Sequence, residues 1–111
     1  MFDFSILLKQ IVTAYSRADT PWTKDDVIEF FMVFYKTYMS TTGYEHPRLK
    51  TDTIQRIIEK LSEDDMFEYS LDDYKEMIPK YFETEFPNSD YSVCHFMSGS
   101  IRKMRFYEVC Y

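Results

Sequence analysis

The chain has 111 residues, 45% apolar and 19% aromatic, with a net charge of −6 and a sequence pI near 4.8. That length fits one domain spanning residues 1–111, and the aromatic content argues against a disordered chain. Two glycines and four prolines leave few tight turns for a small all-β domain, and the acidity weighs against a molecule built to bind nucleic acid directly.

Asp3 to about Arg17 reads as a first helix, with Phe4, Leu7, Leu8, Ile11, Val12 and Tyr15 recurring three and four residues apart. Ala18 through Trp22 is a turn marked by Pro21. Thr23 then stands where an N-cap belongs, with Asp25 and Asp26 placed to favour the helix dipole. The second helix, about Lys24 to Thr41, leaves almost no polar face: Val27, Ile28, Phe30, Phe31, Met32, Val33, Phe34, Tyr35, Tyr38 and Met39 surround it. A helix of this kind is normally enclosed by others, so it is expected to be the central element. Gly43 sits at its stop.

Tyr44 to Leu49 is a connection containing His46-Pro47. Thr51 or Asp52 is expected to cap a third helix that runs to about Leu61, with Ile54, Ile57, Ile58 and Leu61 on one stripe. An acidic loop follows. Ser70 with Asp73 forms an S-x-x-D start, close to a capping box, for a fourth helix to about Phe86. Leu71, Tyr74, Met77, Ile78, Tyr81 and Phe82 share one side of it; Asp72, Glu76 and Glu83 form a stripe on the other. Pro79 removes an amide within the pattern and is expected to kink or divide the helix, and a break there would take Glu83 off the stripe.

After Pro87, Asp90 stands as the cap of a short helix from Tyr91 to Met97. Ser98-Gly99-Ser100 is a turn, and a last helix runs from Ile101 to about Val109. The sum is an all-α domain of five to six helices packed around the second. A minor C-terminal hairpin from Arg105 to Tyr111 is the alternative to the last helix.

Chemistry-bearing residues are few. Cys94 and Cys110 lie in no metal spacing, and the composition favours two reduced, partly buried thiols. Cys94 and His95 are adjacent, and neighbours on a helix point about 100° apart, so they do not face each other as nucleophile and base. His46, Cys94, His95 and Cys110 lack the paired spacing of zinc sites. Each histidine is expected as an ordinary surface or core-edge side chain. No Gly-rich phosphate loop and no EF-hand pattern occurs, so no cofactor and no metal are expected, and the chain reads as non-enzymatic. No run approaches the ~18 apolar residues of a membrane span, and Asp3 stands where a secretory leader carries a base. A cytoplasmic protein without a membrane partner is the expectation.

Charge is unevenly distributed. Ten acidic residues fall between Glu63 and Asp90 against only Lys75 and Lys80, so this block carries −8 and the rest of the chain +2. One reading is a solvated face that keeps the protein in solution. The functional reading is a contact surface for a basic partner. Asp64, Asp65, Glu68, Asp72, Asp73, Glu76, Glu83 and Glu85 would supply the charge, and Phe67, Tyr69 and Tyr74 would supply aromatic anchors. Carboxylates interleaved with Tyr69, Tyr74 and Tyr81 suit a groove that offers cations to a nucleic-acid backbone and aromatic faces to bases. The alternative is a small DNA-binding regulator. Its helix–turn–helix would run from Cys94 to Val109, with a basic patch of Arg102, Lys103 and Arg105.

In its short length, helical patterning, lone Trp22 and Tyr- and acid-rich stretch from Glu63 to Asp90, the chain resembles the small acidic proteins of phages and mobile elements, anti-CRISPR proteins among them. The resemblance lies in overall character and carries no family site over to these residues. It implies inhibition without catalysis, by occupying the DNA-binding surface of a CRISPR effector. The expected partner is therefore the basic surface of a nucleic-acid-handling protein, with a second copy of the chain as a further candidate.

Overall fold

The computed structural model describes residues 4–61, 69–83 and 91–97. Among these the chain forms five α-helices and no strand: α1 (Phe4–Arg17), α2 (Lys24–Thr42), α3 (Thr51–Lys60), α4 (Leu71–Glu83) and α5 (Val93–Phe96). The all-α expectation is met. The expected last helix, Ile101 to Val109, and the alternative hairpin, Arg105 to Tyr111, lie outside the described residues.

Local signals set most of the helix ends. The Thr23 hydroxyl accepts the Asp26 N–H at 3.2 Å, which satisfies an orphan donor of the first turn of α2. Gly43 closes α2 in the left-handed region, at φ 77°, and its N–H bonds the Met39 carbonyl. Ser70 and Asp73 form a reciprocal box at α4: the Ser70 N–H donates to the Asp73 carboxylate at 2.8 Å and the Asp73 N–H to the Ser70 hydroxyl at 3.2 Å.

Two helix starts and one helix interior differ from expectation. α3 begins at Thr51 with Lys50 as a cap that makes no side-chain bond, so neither Thr51 nor Asp52 caps it. α5 begins at Val93, two residues later than expected, because Tyr91 adopts φ 54° and a left-handed residue cannot belong to the helix. Ser92 caps α5, accepting the His95 N–H at 3.4 Å; Asp90 lies outside the described residues. Pro79 does not divide α4. At about 100° per residue Pro79 falls about 20° from Asp72, on the exposed side of the helix, where losing one bond to the Lys75 carbonyl costs least.

The helices pair two apart in sequence. α1 packs on α3 and α2 on α4, with a smaller contact between α1 and α2. Both main pairs run parallel. In α1/α3 the Gln10 amide donates to the Leu49 carbonyl at 2.9 Å, the Gln55 amide to the Arg17 carbonyl at 3.4 Å, and the Asp19 N–H to Glu59 at 3.2 Å. In α2/α4 ring contacts climb together: Phe30 with Tyr74, Phe34 with Tyr81, Tyr38 with Phe82. All five helices feed one core, and α2 supplies more buried side chains than any other described helix. It is not enclosed on all sides, since Glu29, Lys36 and Ser40 make a polar outer face.

Candidate functional site

The exposed face of α4 takes its form from the helix period. With Tyr74, Met77, Ile78 and Tyr81 directed into the core, Asp72, Glu76 and Glu83 fall within about 40° of one another on the opposite side. All three are exposed. Because α4 continues through Pro79, Glu83 stays on this stripe. Along the axis the three carboxylates span about 16 Å. Among the described residues no ion pair engages Glu76 or Glu83.

Parallel packing brings the start of α2 beside the start of α4 and widens the acidic surface. Lys75 bonds Glu29 of α2 at 2.6 Å. That hydrogen bond, with the nearby charges of Glu29, Asp72 and Asp26, holds the Lys75 ammonium above its ordinary range. Asp26 and Glu29 thus join Asp72 around one lysine. Sequence reasoning saw Asp25 and Asp26 only as helix-start residues, and the pairing of α2 with α4 that brings them here has no local signal.

Two helix N-termini side by side place two positive dipole ends together, and acids in both first turns offset them. Asp25, Asp26, Asp72 and Asp73 occupy those turns. Part of the acidic concentration therefore has a folding role. Asp73 is the clearest case: it is half-buried and its carboxylate is taken up by the Ser70 N–H. Glu76 and Glu83 have no such role.

Of the aromatic side chains expected beside the carboxylates, the described ones, Tyr69, Tyr74 and Tyr81, are not on this surface. Tyr69 is 3% exposed, and Tyr74 and Tyr81 are fully buried. Tyr74 packs edge-on against Trp22 and Phe30 and donates its hydroxyl to the Leu61 carbonyl. Tyr81 packs on Phe96 and shares a 2.7 Å hydrogen bond with His95 Nδ1. These three tyrosines hold the fold together and offer nothing to a partner. Asp64, Asp65, Phe67, Glu68 and Glu85, and the basic set Arg102, Lys103 and Arg105, lie outside the described residues.

The histidines and the cysteine also differ in part from expectation. Cys94 is exposed rather than partly buried; Cys110 lies outside the described residues. His95 sits at the core edge, as expected. His46 is 2% exposed, although it belongs to a connection. Its Nε2 accepts the Val93 N–H at 3.0 Å and its Nδ1 donates to the Pro47 carbonyl at 2.8 Å, which assigns a neutral ring with the proton on Nδ1. The ring stacks on Tyr35 at 4.2 Å and meets Tyr38 edge-on at 4.9 Å. Burial, and secondarily the Cys94 thiol, push the Tyr35 phenol well above its ordinary range.

Among the described residues no three His, Cys, Asp or Glu side chains converge as a metal set, and no helix is long and apolar enough to cross a membrane. A shallow notch lined by Asp19, Arg56, Glu59 and Lys60 is open to solvent and mixed in charge. No protein-family model, curated protein or solved structure matches this chain.

Proposed function

We propose that the chain acts by contact rather than catalysis, as an acidic module that docks on the basic surface of a nucleic-acid-handling protein and blocks it. A CRISPR effector is the partner implied by the resemblance to anti-CRISPR proteins. The observation that supports this reading is the exposed stripe of Asp72, Glu76 and Glu83, extended across α2 by Asp26 and Glu29 around Lys75.

The charge density bounds how the stripe works. Duplex DNA carries about one negative charge per 1.7 Å, so about ten over the length in which α4 presents three. The stripe therefore steers and orients a basic partner rather than replicating a phosphate backbone. Each exposed charge pair contributes only ~0–1 kcal/mol. With Tyr69, Tyr74 and Tyr81 buried, α4 supplies no aromatic anchor, so association through this face is fast and sensitive to salt.

The test is capture of nucleic-acid-binding proteins from a host lysate by the wild type and by Asp72→Lys/Glu76→Lys/Glu83→Lys. Asp73 is left intact because it caps α4. The reading expects capture that duplex DNA displaces and that the triple reversal abolishes while circular dichroism stays helical. Capture indifferent to both the reversal and the DNA refutes it.

A further inference from the structure

Glycine, proline and charge patterns account for most of this chain, but His46 has no role in them. It is the one buried imidazole among the described residues. It joins three pieces of structure: its own connection through Pro47, α2 through Phe34, Tyr35 and Tyr38, and the first amide of α5 through Val93. The bond to Val93 spans 47 residues of sequence, and it is made at a helix start, where amides lack helical partners. Tyr91, just ahead of that start, is held at φ 54°, a conformation that L side chains rarely adopt unless their surroundings impose it.

We propose that His46 is an acid-sensitive latch: its neutral Nε2 holds the 91–97 segment against α2, and protonation at that nitrogen releases the segment. A protonated Nε2 carries its own hydrogen and cannot accept the Val93 N–H; the two donors then oppose each other. Among the described residues, the titratable groups that face the ring include Tyr35 and Tyr38 from α2; Cys94 of α5 acts on Tyr35, and Glu45 and Arg48 flank the ring in the connection. From α4, Tyr81 and Phe82 lie one ring further out, against Phe34. Tyr35 stays neutral through the relevant range and neither drives nor opposes the change.

The sign follows from linkage. The docked ring takes up a proton less readily than a solvated histidine, whose ordinary value is about 6.5. Docking is therefore complete above that value and weakens as the pH falls below it. One pH unit lower, the released state gains about tenfold over the docked one. Release uncovers Val93 and Phe96, which are buried in the docked form, and frees Tyr91 from its left-handed conformation.

Amide hydrogen exchange, corrected for intrinsic rates, tests the latch at about pH 7.5 and about pH 5.5. The Val93, Phe96 and Met97 amides are expected to be less protected than those of Phe30 and Phe34, and to lose about tenfold in protection in acid. His46→Gln offers an amide acceptor that does not titrate and is expected to remove the acid loss. Equal protection in α5 and α2 at both pH values overturns the proposal, because the molecule then opens only as a whole. So does an acid loss that persists in His46→Gln, because it then does not depend on this imidazole. Should that variant fail to fold, the imidazole resonances of His46 in the unaltered protein decide. A midpoint below about 6.5 supports the latch, and one at or above it refutes it.

Discussion

Replacing His46 with Phe isolates the hydrogen bonds of that residue from its packing. The new ring has a similar size and can remain stacked on Tyr35, at 4.2 Å in the native protein, and edge-on to Tyr38. Both ring nitrogens are gone. The Pro47 carbonyl lies on an exposed residue and turns to water at little cost, but Val93 is fully buried. Its N–H loses a 3.0 Å acceptor with no water to replace it, which costs about 1–3 kcal/mol. His46→Ala also loses the ring contacts and leaves a cavity, so it should cost more, about 2–5 kcal/mol. Urea unfolding followed by the fluorescence of Trp22, which is buried against Tyr74, and by circular dichroism measures both. A His46→Phe variant within about 0.5 kcal/mol of the wild type would refute the reasoning, because the Val93 amide would then need no imidazole.

Ser70→Ala removes the hydroxyl that accepts the Asp73 N–H and should cost about 1 kcal/mol in the same assay; no loss would mean that the box at α4 is ornamental. Gly43→Ala should cost about 1–2 kcal/mol from backbone strain alone, since nothing lies within 4 Å of a Cβ added there. The raised Tyr35 phenol stabilises the fold below its ordinary value and withdraws that stability as the pH climbs. Alkaline unfolding should therefore begin above about pH 10 and be shallower in Tyr35→Phe; identical alkaline limbs would deny the phenol this part. Glu29→Gln removes the largest cause of the raised Lys75 ammonium, so the Lys75 resonances should titrate at lower pH than in the wild type.

Sequence patterns were legible wherever the cause was local. Thr23, Gly43 and the Ser70/Asp73 pair act within four residues of themselves, and each does what its position predicts. The α4 stripe followed from the helix period alone. What was not legible depends on partners far along the chain. Tyr74 lies on the apolar stripe of α4, so its burial was implied there, yet its phenol also fitted an exposed anchor. Its packing on Trp22 and Phe30 and its bond to the Leu61 carbonyl, thirteen residues away, decide between them. His46 had no pattern around it, because its acceptor role is defined by an amide 47 residues later. Asp26 and Glu29 joined the acidic surface through the parallel register of α2 on α4, which no periodicity encodes.

That register has a consequence for how the molecule comes into being. α1 and α2 each find their principal neighbour two elements further on, so among the described helices neither main pair is a sequence-adjacent hairpin. During synthesis α2 waits, apolar side uncovered, until α4 has emerged, and the loop entropy of that wait falls due before any reward from the aromatic stack. A chain cut off after Leu61 would therefore be more than a shortened version of this fold. It would be a sticky intermediate, with Phe30 and Phe34 seeking in other molecules the rings that Tyr74 and Tyr81 provide.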